Sequence, residues 1–471
     1  MKRIAAGIVA LGLVVAAIYG LNATRRERNY RLLIEQGEAA LAHDDTSAAG
    51  DAFSGAIALK PESMLGYLKR GETYRRRNEL DAALRDLRHA SELDPLAPRP
   101  LELLGDVHYA MGRMERGDVN LAVGRFRRAA ELYQGYVALD DRSPRVLYKL
   151  ALAHQSAGQP APAVAALRRA VALDDTFAEA HYLLGVCLRD LNKLPEALAA
   201  FERARTRAPA MVNARESLGE LYGQLGRTRD RIAQLEALAV LDPGPSRAVA
   251  LGLAYHRAGN TNRAVLVLSE AAERFPDHPH AYVALGRVWL EAAESGRDRV
   301  ALSKALGALQ EAAGNDDSSE ALMLLGRALL LSGDDELGER MLQQATEKFP
   351  VDPLAFFYYA EVSERRGHPD AARRALLDYQ ALEGEDLDPR RRAALAVRVA
   401  DLSMNAKDPA AAMEWYQRAA AITTLDAAVL VRLADAQARS GDMAAARETL
   451  AKALEKDPGN RAARLLQRRL R

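Results

Sequence analysis

The sequence predicts an all-α solenoid of about 12 helix-turn-helix units, opened by an N-terminal transmembrane helix and closed by a C-terminal capping helix. Three observations predict it. Ala, Leu and Arg dominate the 471 residues, whereas Phe (8) and Trp (2) are scarce, and the dominant residues are good helix formers. Small residues recur at intervals near 34, and a fixed period of that size is the mark of a repeat architecture. Runs of β-branched residues are few beyond the first 20 positions.

The first element is the apolar stretch. Ile4 to Leu21 runs 18 residues without a charge, near the lower limit of roughly 17–25 for a membrane-spanning helix. The apolar core of a cleaved signal peptide is shorter, about 7–15 residues. The one passable cleavage site, Leu21-Asn22-Ala23, carries a bulky residue where a small one is needed. The segment 4–21 is therefore read as an uncleaved signal anchor. A short tail (1–3) precedes it and a basic juxtamembrane segment (22–29) follows. Lys2 and Arg3 favour a cytoplasmic N-terminus, while Arg25, Arg26, Arg28 and Arg31 pull the other way under the positive-inside rule. A very short basic tail is the usual start of an export signal. The expectation is single-pass insertion in the inner membrane with the soluble part in the periplasm.

The repeats fill 30–458. Steps of 33 or 34 from Gly185 reach Gly219, Gly252 and Gly286; the slot continues at Gly326, Ala360, Ala400 and Ala434, with steps of 40 to Gly326 and Ala400, and backward at Ala151, Gly105, Gly71 and Gly37, with one break of 46 between Gly105 and Ala151. Twelve positions after this slot stands Ala49, Ala83, Ala163, Ala197, Ala264, Ala372, Ala412 or Ala446. Nineteen after it stands another Ala, as in Ala56, Ala90, Ala170 and Ala204. Each unit then reads as two helices, A and B. A small residue at the first slot lets A approach B, with the Ala at the second slot as its facing partner. The third admits the next helix A. Pro61, Pro95, Pro209, Pro243, Pro276, Pro350 and Pro458 follow helix B, where Pro stops a helix. Turn signals such as SAGQP, RAGNT and RSGDM separate the pairs.

This pattern resembles the tetratricopeptide repeat. In residues 178–211 the family's Leu-Gly is Leu184-Gly185, and its later Ala, aromatic, Ala and Pro are Ala197, Phe201, Ala204 and Pro209. The unit departs where the family has Trp (here His181) and Tyr (here Leu188). The sixth unit departs further, with Arg231 and Leu238 at two Ala slots, which predicts looser packing there. The resemblance covers about nine tenths of the chain. It implies a right-handed superhelical array whose units bury apolar surface only against neighbours.

Insertions near 113–124, 294–300 and 383–389 interrupt the period. The first predicts an elongated helix B in the third unit, starting near Val119 and projecting past its neighbours. The second lengthens the helices or turn of the eighth unit. The third predicts a loop between the tenth and eleventh units. Residues 459–471 predict a capping helix, with Leu465, Leu466 and Leu470 over the last repeat and Arg residues facing water.

Chemistry is sparse. The 65 basic and 64 acidic residues leave a net charge of +1, whereas nucleic-acid binding calls for a basic stripe. One cysteine, Cys187, excludes an intramolecular disulfide and reads as a packed hydrophobe. The nine His residues form no HExxH motif. His278-Pro-His280 has no evident third ligand, which a metal site would need. Asp140-Asp141, Asp174-Asp175 and Asp316-Asp317 read as turn acids. No nucleophile motif or phosphate loop occurs. Neither an enzyme activity nor a cofactor is expected.

In the family the inner wall of the superhelix is formed by helix A. Carried over by position, that wall places Glu38, Glu72, Asp106, Glu220, Glu361, Asp401 and Asp435 directly after the small slot. That same slot holds Arg287 and Arg327 in two units, and the neighbouring slots hold Arg75, Arg76, Arg99, Tyr109, Arg145, Tyr148, Tyr182, Arg189 and Arg257. Two readings stand. One is a peptide groove at Tyr109, Arg145, Tyr148, Tyr182, Arg189, Arg257, Arg287 and Arg327, since Tyr and Arg are enriched at interface hot spots. The other is a solvated face with internal ion pairs. The acidic residues do not fit the family's clamp for acidic C-terminal tails. The functional expectation is a non-catalytic, membrane-anchored scaffold binding other proteins in envelope assembly or secretion. The alternatives are a cytoplasm-facing adaptor and a periplasmic solenoid that binds polysaccharide or peptidoglycan during export.

Overall fold

A computed structural model describes the backbone of residues 2–383 and 387–470, and the side chains of 20–383 and 387–470. The described residues form 25 α-helices and no strand. They divide into two compact units, Met1–Arg227 and Thr228–Arg471.

In the first unit, α1 (Lys2–Ala42) packs on α2 (Thr46–Leu59), α3 (Met64–Arg76) on α4 (Leu80–Leu93), and α5 (Pro98–Met114) on α6 (Val119–Leu139). Then α7 (Pro144–Ser156) packs on α8 (Pro160–Leu173), and α9 (Ala178–Asp190) on α10 (Leu194–Arg207); α11 (Val212–Gln224) closes the unit. The second unit opens with α12 (Thr228–Leu241). There α13 (Pro245–Arg257) pairs with α14 (Thr261–Arg274), α15 (Pro279–Gly296) with α16 (Arg299–Asn315), and α17 (Ser319–Ser332) with α18 (Asp335–Glu347). Next α19 (Pro353–Arg365) pairs with α20 (Pro369–Glu383), α21 (Pro389–Asn405) with α22 (Pro409–Ile422), and α23 (Ala427–Arg439) with α24 (Met443–Lys456), before the last helix α25 (Arg461–Arg469).

The small slots face helix B, but their nearest neighbour differs from the sequence expectation. A Cβ on Gly185 would meet the Phe201 ring at 2.6 Å, one on Gly71 the Leu87 side chain at 2.8 Å, and one on Gly252 Leu268 at 2.5 Å. The facing group is thus the large residue 16 positions on, not the Ala at 12. That Ala is fully buried beside it, as Ala197 and Ala264 are. A large side chain reaches across the helix interface, whereas Ala keeps the backbones close.

The turns between A and B carry a second regularity. The seventh residue after the small slot is left-handed in Asp44, Asn78, Gly158, Asn192, Gly226, Gly259, Gly333, Gly367, Lys407 and Gly441. That conformation favours Gly, and tolerates Asn and Asp. Helix starts are fixed by Asp side chains, as where Asp442 accepts from the Ala445 amide at 3.0 Å, and by Pro in the first turn of α7, α8, α13 and α15.

Several expectations meet specific outcomes. The first insertion lengthens both α5 and α6, and the Phe126 ring on the extension packs 5.2 Å from Tyr109. The second lengthens α15 and α16 around a left-handed Arg297. The third falls partly on 384–386, outside the described residues; beyond it α21 runs 17 residues. In the sixth repeat α12 buries only Gln234 and Leu238. At the C-terminus Ala463 and Leu466 are buried against the last pair, but Leu465 is 61% exposed and does not cover it. Nine residues of helix present one narrow apolar stripe, and Leu465 lies off it.

The anchor segment 4–21 lies within α1, but its side chains through residue 19 are outside the described residues. Among the described residues, no helix is long and apolar enough to cross a membrane.

Candidate functional site

Helix A residues of successive repeats are linked by ion pairs. In the first unit Lys69 reaches Glu38 at 2.5 Å, Arg99 lies 3.9 Å from Glu72, and Arg189 lies 3.7 Å from Glu220. In the second, Arg287 pairs with Glu320, Arg327 with Glu294 at 2.6 Å, Arg398 with Glu364 at 2.9 Å and Arg432 with Asp401 at 2.5 Å. Exposed pairs of this kind add little stability, but they occupy the charged groups of the wall.

Lys149 on α7 makes the most buried of these contacts. Its Nζ donates to Glu102 at 2.7 Å and to Asp106 at 2.8 and 2.9 Å, both on α5. Burial would raise the Glu102 carboxyl, but the Lys149 hydrogen bond and the Lys149 and Arg99 charges outweigh it and hold it below the usual carboxylate range. Asp106 also accepts from the Tyr133 hydroxyl at 2.8 Å. Burial, reinforced by the Asp106 charge, raises that phenol.

Next to this network lies a cavity of about 610 Å³. Three successive helices A, α3, α5 and α7, supply Arg75, Tyr109, Arg145, Tyr148 and Lys149, and the loop before α9 supplies Phe177. The Tyr148 and Phe177 rings sit 5.1 Å apart and tilted. Burial raises the Tyr148 phenol, with the Glu179 charge adding. The Tyr109 hydroxyl is held 3.2 Å from the Ser156 hydroxyl. Arg75 and Arg145 pair with no carboxylate among the described residues, and the Arg75 Nε is buried without a hydrogen-bond partner.

Of the sequence-selected residues, the structure therefore brings Tyr109, Arg145 and Tyr148 together. Tyr182 is in the next repeat, half-buried, its ring 5.8 Å from Phe201. Arg189, Arg287 and Arg327 are held in ion pairs, and Arg327 also lies 4.5 Å over the Tyr358 ring. Arg257 is exposed at the end of α13. Sequence reasoning missed Lys149, Tyr133 and Phe177 as cavity residues. Tyr133 is the large residue of α6 that faces the small slot Gly105, so its slot marks packing rather than a cavity. Phe177 precedes helix A, and no periodic slot marks it. A smaller cavity of about 450 Å³ in the second unit is lined by Phe357, Tyr358 and Tyr379, but its arginines Arg391 and Arg398 pair with Asp388 and Glu364.

Among the described residues no cluster of three His, Cys, Asp or Glu side chains could hold a metal. Cys187 is buried, and burial, with the Asp190 charge adding, pushes its thiol up to about 12.

A repeat protein of paired helices with a cavity between successive first helices is the class these features define. Tetratricopeptide repeat models match residues 68–117, 188–248, 249–302, 336–389 and 403–470, together more than half of the sequence. The chain belongs to the tetratricopeptide repeat family. A model described as anaphase-promoting complex, cyclosome, subunit 3 matches residues 123–204. Among solved structures, YrrB, "a TPR protein with an unusual peptide-binding site", is 24% identical over 45% of this chain and 100% of its own, with a TM-score of 0.37. Yeast Tom70 is 14% identical over 82% and 91%, with a TM-score of 0.41. A chain of the APC/C hetero-tetramer Cut9-Hcn1 is 14% identical over 94% of this chain and 96% of its own, with a TM-score of 0.35. No curated protein matches the sequence.

Proposed function

We propose that this chain is a non-catalytic scaffold, held in the inner membrane by its N-terminal segment, that captures peptide segments of other proteins on its helix A wall during envelope assembly or secretion. The observation that carries the binding half is the cavity built by Arg75, Tyr109, Arg145, Tyr148 and Phe177. It is concave and aromatic, with a few polar groups, which is the usual make-up of a ligand site. Arg189, Arg287, Arg327, Arg398 and Arg432 are engaged with carboxylates of neighbouring repeats, so the cavity is the preferred contact point over Tyr182 and Arg189. Flat sugar-stacking platforms are not favoured, because the Tyr148 and Phe177 rings are tilted by 49° against each other. The membrane half rests on the uncharged stretch Ile4 to Leu21.

A photo-crosslinking amino acid at Tyr148, Tyr182 or Val119, in turn, tests the binding half in intact membranes. Adducts concentrated at position 148 support the cavity. Adducts confined to position 119, at the start of the projecting α6, overturn it. Protease added to spheroplasts tests the membrane half. Digestion of the repeats supports a periplasmic array, and protection until lysis overturns that orientation.

A further inference from the structure

We propose that the helix B surface of the second and third repeats carries an oxyanion site, in which Arg88 on α4 and Arg125 and Arg128 on α6 together hold a phosphate ion or the phosphate of a small monoester. The site lies on helices B rather than on the helix A wall, and it stands whether or not that wall binds peptides.

The reason is a charge reversal between repeats. Arg168 on α8, two residues before Ala170, pairs at 2.5 Å with Glu196 on α10, directly before Ala197. The same two positions on α4 and α6 hold Arg88, two residues before Ala90, and Arg128, directly before Ala129. Two cations thus stand where the later helices have an ion pair. Both are exposed. Arg128 meets Glu131 on its own helix at 2.7 Å, and Arg88 meets no carboxylate among the described residues. Arg125, half-buried on the same helix as Arg128, meets none either. Like charges on adjoining surfaces repel, and an anion between them replaces repulsion with attraction.

His108 lies among these groups. It is on α5, the helix that packs on both α4 and α6. It is 5% exposed, and its Nδ1 is buried without a hydrogen-bond partner. Burial, with the charges of Arg125, Arg128 and Arg88 adding, pushes the imidazole down to about 4, so all three guanidinium groups are near the ring. The one carboxylate acting on it from α6, Glu131, is already engaged by Arg128. The cluster therefore keeps an excess of positive charge around a neutral ring. A single guanidinium can take both oxygens of a carboxylate. A tetrahedral phosphate has oxygens for guanidinium groups on two helices at once, so it fits this set better.

The test is calorimetric titration of sodium phosphate into the full chain in detergent, against sodium acetate and sodium chloride at equal ionic strength. Phosphate should give a saturable isotherm, and the other two salts should not. Arg88→Gln/Arg128→Gln should lower phosphate affinity roughly tenfold or more, the scale of a lost hydrogen bond to a charged group. Both side chains are exposed, so the thermal melt of this variant without phosphate should match that of the native chain. Arg128→Glu recreates the α8–α10 pattern and should abolish the isotherm. Arg168→Gln removes one positive charge from an arginine already paired, and should leave phosphate affinity unchanged. Absence of saturable binding, equal binding of acetate, or binding that survives both variants at position 128 would overturn the site. So would an equal loss in Arg168→Gln, which would mark a response to net charge alone.

Discussion

A Cβ on Gly185 in α9 would sit 2.6 Å from the Phe201 ring in α10, closer than any real pair of carbon atoms packs. Phe201 is fully buried and cannot withdraw. Gly185→Ala should therefore destabilise the first unit by about 1–3 kcal/mol, the usual scale of overpacking. Gly307 in α16 has open space around its Cα. There Gly→Ala should stabilise by about 0.5–1 kcal/mol, since Gly in a helix interior is unfavourable. Urea unfolding of both variants reads the two signs. Equal shifts would remove the steric account of the slot.

Lys407 occupies the left-handed turn position with φ at 62°, where six other turns use Gly. A non-glycine residue there is strained by about 1–2 kcal/mol. Glycine's freedom in the unfolded chain returns part of that. Lys407→Gly should raise stability by about 0.5–1 kcal/mol, measured by the same denaturation. A loss would mean that the Lys side chain makes a stabilising contact.

Glu102 is buried and its folded carboxyl is held below the ordinary value. Such a group adds stability above the unfolded carboxylate pKa, and loses it as pH falls through the lower folded value. Lys149→Met removes its main partner and leaves burial to raise the carboxyl instead. At neutral pH this should destabilise by about 3 kcal/mol, as breaking a buried pair does. The gap to the native chain should close in acid, once Glu102 is protonated in both. Melting curves from pH 7 to pH 3 follow it; a gap that stays constant would show that Glu102 is not the responsible group.

Cys187 is fully buried with its thiol pushed up to about 12. The thiolate is the reactive form, so iodoacetamide at pH 8 should leave the folded chain unmodified and label it fully in urea. Because Cys187 lies two residues after Gly185, labelling also reports local opening there. In the Gly185→Ala variant it should begin at lower urea. Rapid labelling of the native chain would place the thiol outside the packed core.

The helices and their pairing were legible in the sequence because each repeat meets the same steric demand. Gly37, Gly71, Gly105 and Gly185 mark where a helix must come close, and that mark recurs whatever the surface residues do. The left-handed turn slot was equally present, as Gly158, Asn192 and Gly259. It was passed over as a general turn signal, and its seventh-residue spacing would have found it. The sequence by itself determined the all-α class, the period, and which faces of α3, α5 and α7 could carry a site. It placed Tyr109, Arg145 and Tyr148 on that wall without saying which would meet. Only the tertiary structure decided that Arg189, Arg287 and Arg327 are paired with neighbouring acids while Arg75 and Arg145 are not. It also decided that Phe177 closes the cavity. The physical reason is range. Helix periodicity and packing slots are local and repeat with the chain. Ion-pair partners lie about one repeat away, so pairing depends on side-chain reach between separate helices, which no residue spacing records.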